Sequence, residues 1–215
     1  MKPYYQDENT TIYLGDCREI LPQLKDEIHL TLTDPPYNVG LNYCDGDNRD
    51  DYETWTQQWF EMCPQPFVVT PGMVNLRMWL KMQPPTWTCA WFKPNQCSPS
   101  ALGGFNIWEP VLVYGKPQKR IGQDGWLYSI AQQREASGHP CLKFLPFWTK
   151  LLSSFLEEGQ TVLDPFLGSG TTLKAARQLG IKAIGIEIEE RYRQIAIERL
   201  AQRTLEFTEA VERLR

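Results

Sequence analysis

Thr161-Val162-Leu163-Asp164-Pro165-Phe166-Leu167-Gly168-Ser169-Gly170-Thr171-Thr172 is the stretch that decides how this chain of 215 residues folds. The apolar run to Leu163 reads as a buried strand. Gly168-Ser169-Gly170 reads as a tight loop, and Leu173 to Leu179 as a helix ended by Gly180. A second strand follows, Ala183-Ile184-Gly185-Ile186, capped by Glu187. Together they make a βαβ unit with a glycine turn at the start of its helix. Glycines there let backbone approach a ligand, and the helix N-terminus favours an anionic group. Glu187 stands twenty-three residues after Asp164, where a ribose is held in nucleotide-binding α/β units.

Elimination narrows the ligand. A phosphate-binding loop needs Gly-Lys followed by Ser or Thr, but Lys174 is displaced and the loop is too short. A dinucleotide fingerprint wants a third glycine at 173, where Leu173 stands. An acid ahead of the loop, Asp164, suits a ligand bearing an ammonium group, and Glu187 suits ribose hydroxyls. S-adenosylmethionine has both, with a carboxylate for the helix N-terminus.

Upstream, the run Ile28-His29-Leu30-Thr31-Leu32-Thr33 reads as another buried strand, stopped by Asp34-Pro35-Pro36-Tyr37. Open α/β sheets bind ligands at the carboxyl ends of their strands. The tetrapeptide suits a planar amino group: Asp34 and the Pro35 carbonyl accept its two N–H bonds, and Tyr37 stacks on the attached ring. Pro36 has no N–H to compete for those acceptors. The alternative is a turn that does no more than end a strand.

Composition excludes several classes. No apolar stretch reaches membrane-spanning length, and Met1 to Tyr5 lacks the apolar region of a signal peptide. Six cysteines without a C-x-x-C pair read as reduced thiols, and two distant histidines do not suggest a zinc site. Net charge is −4, yet residues 71–150 hold nine basic against three acidic side chains, a candidate phosphate-facing surface. Further strands are expected at Thr11–Leu14, Phe67–Val69, Thr86–Phe92 and Pro110–Tyr114. Helices are expected at Cys17–Leu24, 52–63, Val74–Met82, Leu142–Leu156 and within Glu189–Arg215. Tyr52, Trp55, Trp59 and Phe60 recur at helical spacing and read as core. Strands alternating with helices mean a single α/β sheet.

These segments together resemble the amino-methylating DNA methyltransferases of the permuted β class. The match runs from Gly15-Asp16-Cys17 through Asp34–Gly40, Trp91-Phe92-Lys93-Pro94-Asn95, Glu109 to Lys116 and Gly138-His139-Pro140-x-x-Lys143 to the Asp164–Thr172 loop and Glu187. It implies one domain over 1–215 with a Rossmann-like class I methyltransferase fold, circularly permuted. The sheet should be mixed but mostly parallel, with helices on both faces. In that arrangement the N-terminal strand lies beside the strand ending at Glu187.

The resemblance also implies roles. Asp34, Pro35, Pro36 and Tyr37 form the catalytic tetrapeptide. Asp164, Phe166, Gly168, Ser169, Gly170, Thr171 and Thr172 surround the methionine part of S-adenosylmethionine, beside Asp34. Glu187 binds the ribose, Asp16 and the Cys17 backbone read the adenine edge, and His139 and Lys143 border the methionine pocket. His139 has an alternative as a helix-capping residue. The expected substrate is adenine N6 in duplex DNA, flipped out of the stack, with cytosine N4 as the nearest alternative. RNA or protein glutamine as substrate, and a silent DNA-binding module, are more distant ones. The family permits a homodimer, suggests restriction-modification, and implies a cytoplasmic protein of a prokaryotic cell or phage-infected host. Two features depart from the pattern. Phe144 follows Lys143 where proline is usual, and the target-recognition insertion, at about 116–137, is very short. Specificity is therefore relaxed, limited to a short site, or supplied by a partner.

Overall fold

The structure, a computed structural model, describes residues 1–40, 48–96, 98–129 and 143–213, without the side chains of Ser98 and 202–213. In chain order the first elements are β1 (Tyr5–Gln6), β2 (Thr10–Leu14), α1 (Cys17–Ile20), β3 (Leu30–Thr33), α2 (Tyr52–Met62), β4 (Phe67–Val69) and α3 (Gly72–Met82). There follow β5 (Trp87–Phe92), β6 (Ser98–Pro99), β7 (Phe105–Asn106), β8 (Trp108–Tyr114), β9 (Gly125–Leu127) and α4 (Leu145–Phe155). The chain closes with β10 (Thr161–Asp164), α5 (Thr171–Gln178), β11 (Lys182–Glu187) and α6 (Glu190–Arg213).

Among the described residues, nine strands form one sheet in the order β1-β2-β11-β10-β3-β4-β8-β5-β9. From β2 to β4 every pairing is parallel, β8 runs antiparallel between β4 and β5, and β9 lies parallel to β5. The N-terminal strand does lie beside the strand that ends at Glu187, with Leu14 opposite Glu187 and Ile12 opposite Gly185. Here the strand–loop–helix unit of β10 and α5 follows the tetrapeptide strand β3 in sequence but adjoins it in space. This is the permuted class I methyltransferase fold.

Residue alternation along each strand divides the interior in two. Val68, Val111, Val113, Val162 and Ala183 face one way, onto Trp148, Leu151, Leu152, Leu173, Ala176 and Leu200 of α4, α5 and α6. Phe67, Val69, Leu112, Tyr114, Leu163 and Ile184 face the other, onto α1, α2 and α3. Because both faces are covered, β3 is buried at all four positions and reads as an unbroken apolar-and-threonine run. The aromatic stripe of α2 is core as expected: Tyr52, Trp55, Trp59 and Phe60 are all buried, with Trp59 edge-on to Trp79 and Phe166.

Three details differ from the sequence reading. Residues 125–127 pair with β5 and bury Trp126, so part of the 116–137 segment completes the main sheet. That strand is too short for periodicity to reveal. The same holds for a two-stranded hairpin, β6 with β7, whose strands have two residues each. The basic segment after β8 lies at the amino ends of the parallel strands, since β8 runs the other way. Lys119 there donates to the Ser153 carbonyl at 2.9 Å and pairs with Glu157. The described basic residues of the middle region therefore do not form one surface at the carboxyl ends.

Candidate active site

Strands β3 and β10 are neighbours, so the residues that end them meet at the carboxyl edge of the sheet. Asp34 follows β3 directly. Its Oδ1 accepts the Tyr37 hydroxyl at 2.6 Å and the Thr70 hydroxyl at 2.5 Å. Its Oδ2 pairs with Lys143 Nζ at 2.7 Å. The tetrapeptide is fixed from behind: Tyr52 donates its hydroxyl to the Pro36 carbonyl, and Asn75 Nδ2 donates to the Tyr37 carbonyl at 2.9 Å. Burial first, then the nearby Asp34 and Glu109 charges, push the Tyr37 phenol well above its ordinary range, so it stays a neutral donor.

The adjoining cleft is built on the glycine loop. Asp164 is buried and receives the Thr33 hydroxyl at 2.8 Å, the Thr172 hydroxyl at 2.5 Å and the Phe166 amide at 3.1 Å. Trp148 of α4 donates to the same Thr172 hydroxyl and holds it in place. Glu187 accepts the amides of Gly168 and Glu189, one on each carboxylate oxygen, at 2.7 and 2.8 Å. Burial raises both acids, Asp164 to about 6 and Glu187 to about 7, against those hydrogen bonds. Gly170 caps α5 in the left-handed region, and a Cβ there would meet that of Ala196 at 2.8 Å. The loop thus lies tight against α6 with its other side on the cleft.

Asp16, Cys17, Asp34, Pro36, Lys143, Asp164, Phe166, Gly168, Ser169, Thr171, Thr172 and Glu187 all line this one cleft. Asp16 caps α1 through the Arg18 amide and also grips the Arg18 guanidinium at 2.6 Å, so its carboxylate already has internal partners. The Cys17 thiol is buried and pushed up to about 12, which makes it an inert packing group. Ser169 and Thr171 are tied to α6, since Arg199 donates to the Ser169 carbonyl at 2.6 Å and to the Thr171 hydroxyl at 3.3 Å. His139 lies outside the described residues.

Sequence reasoning missed Thr70, Thr33, Trp148 and the buried Lys93–Glu109 ion pair, whose lysine lies over Trp91. Thr70 was within reach. It follows β4, the strand beside β3, and its amide donates to the Thr33 carbonyl at 3.2 Å. Lys143 lines the cleft, and its ammonium sits on the tetrapeptide.

Comparison with known proteins agrees with this construction. A DNA methylase family model matches residues 85–198. YubD of Escherichia coli strain K12, named as a methylase, is 30% identical over 209 residues, covering 87% of this chain and 88% of that one. The type II methyltransferase M.ScaI of Streptomyces caespitosus is 24% identical over 93% of this chain and 84% of its own. Among solved structures, the cytosine-N4-specific PvuII DNA methyltransferase superposes with a TM-score of 0.73 at 20% identity, over 91% of this chain and 88% of that one. The chain belongs to the DNA methylase family that modifies exocyclic amines at N4 or N6. That family uses S-adenosylmethionine as methyl donor.

Proposed function

We propose that this DNA methyltransferase modifies adenine at N6. The observation that carries this reading is a carboxylate, Asp34, at the head of the tetrapeptide, where N4-cytosine enzymes usually have serine. Its residues fit the methyl donor. Glu187, fixed by two amides, keeps lone pairs for ribose hydroxyls. Gly168, in the left-handed region, places backbone without a side chain on the cleft, while Gly170 lets the loop sit against α6. Asp164 supplies negative charge for a cationic ligand. When bound, S-adenosylmethionine supplies the methyl group as a sulfonium, which needs no metal or protein nucleophile.

The protein's part is to improve a poor nucleophile. The lone pair of an exocyclic amine is delocalised into its ring. Asp34 and the Pro35 carbonyl accept its two N–H bonds and favour a pyramidal nitrogen with its lone pair free. Thr70 and Tyr37 hold Asp34, and the Tyr37 ring stacks on the flipped base. Such orientation accounts for most of the rate enhancement expected in a transfer of this kind.

Labelled methyl transfer from S-adenosylmethionine to unmethylated duplex DNA, followed by nucleoside analysis, tests the proposal. Label in N6-methyladenine is the expected result, and label in N4-methylcytosine overturns the base assignment. Asp34→Ala should lower turnover by roughly 100-fold or more while cofactor binding persists. Retained turnover in that variant removes Asp34 from the mechanism.

A further inference from the structure

One side chain, Lys143, occupies both the Asp34 carboxylate and the Tyr37 hydroxyl. Asp34 Oδ1 already takes two hydroxyls, from Tyr37 and Thr70. Oδ2 is the oxygen left for an incoming amine, and Lys143 Nζ lies on it at 2.7 Å. The same ammonium is 3.1 Å from the Tyr37 hydroxyl and 5.0 Å from the centre of the Tyr37 ring. The pair is largely shielded, with side chains 19% and 18% exposed, so water does not loosen it. A base amine cannot take Asp34 Oδ2 while Lys143 remains on it.

We propose that Lys143 is a positioning residue that keeps the target-base site shut until the methyl donor is bound. The inference rests on the S-adenosylmethionine reading above. Lys143 lines the same cleft as Asp164, Gly168 and Thr172, so the side chain that covers the base site also borders the cofactor site. A sulfonium in that cleft is a second cation competing for Asp34, and like charges a few ångströms apart in a part-buried site repel strongly. The donor's own carboxylate offers the ammonium another partner. A flexible four-carbon stem lets Lys143 change partners at small cost. The consequence is an order of binding, cofactor first and target base second.

A double-mutant cycle of Asp34→Asn and Lys143→Met, read by thermal melting of the full chain with and without S-adenosylmethionine, tests the exchange directly. Shifts in Tm should be non-additive without the ligand and additive with it. Additivity in both states, or non-additivity in both, overturns the proposal. If the ligand does not raise the wild-type Tm at all, the cofactor reading has failed first and this inference with it.

A second readout uses a duplex carrying a fluorescent base analogue at the position that wild-type enzyme is mapped to methylate. Wild-type protein should brighten the analogue only when cofactor is present, and Lys143→Met should brighten it without cofactor. The variant's Kd for that duplex without cofactor should fall roughly fivefold or more, because the competent fraction of the free enzyme rises. Lys143→Arg should restore the cofactor requirement. The same requirement in Lys143→Met as in wild type overturns the proposal.

Discussion

At the scale of single residues, the site sets buried acids beside donors that hold them, and its behaviour follows from that. Asp164 and Glu187 are raised by burial above their ordinary values, to about 6 and about 7. The folded protein therefore binds more protons than the unfolded chain between about pH 4 and 7. Stability from these two groups is full below the unfolded values and is lost as pH rises through the folded ones. The Tm of ligand-free protein should fall over that window, and Glu187→Gln should flatten the fall. In the role proposed for Glu187 its ionised form accepts the ribose hydroxyls, so cofactor binding should release protons near pH 6–7 and tighten as pH rises. Calorimetry in two buffers of different ionisation heat counts those protons, and a buffer-independent heat contradicts the assigned role of Glu187. Gly72 belongs to the same scale. Its φ is +67°, and a Cβ there would approach the Tyr37 ring to 2.9 Å. Gly72→Ala should displace that ring and lower turnover by about tenfold or more, with cofactor affinity unchanged.

At the scale of elements, the junction of α5 with α6 governs the glycine loop. Gly170 begins α5 at φ +80°, with Ala196 of α6 against it. Arg199, one turn further along α6, reaches back to the Ser169 carbonyl. Gly170→Ala adds both a clash and a disfavoured backbone angle, together about 2 kcal/mol, or roughly 4–8 °C in Tm for a chain of this size. Cofactor affinity should fall with it, since the loop moves as a unit. A melting scan beside a titration separates the two effects. Helix α4 acts at this scale too, because Trp148 holds Thr172, and Thr172 holds Asp164.

Across the whole molecule, stability should be graded along the sheet. The strands β11, β10, β3 and β4 are covered on both faces, while β1 and β9 are edges of two and three residues. Hydrogen exchange should therefore be slowest in Leu163, Leu32 and Val68 and fastest in β1 and β9. Uniform protection across the nine strands contradicts this gradient.

Local chemistry is legible wherever it is written in consecutive residues. Asp34-Pro35-Pro36-Tyr37, the glycine loop after Asp164, and Glu187 each announce themselves because strand ends, left-handed turns and helix starts are fixed by neighbouring residues. The apolar runs and the aromatic stripe of α2 are legible for the same reason, since periodicity is a local property. The sequence alone thus determined the fold class and the permuted order, and it named residues that the structure brings to one cleft. Contacts between distant segments are not written this way. Thr70 reaches Asp34 only because β4 lies beside β3, and Lys143 meets it across more than a hundred residues. Burial also belongs to the assembled molecule: Asp164 and Glu187 titrate high only once two layers of helices have closed over the sheet. Tertiary structure decided which charges meet and which side chain covers Asp34, because those depend on packing, and packing depends on the whole chain at once.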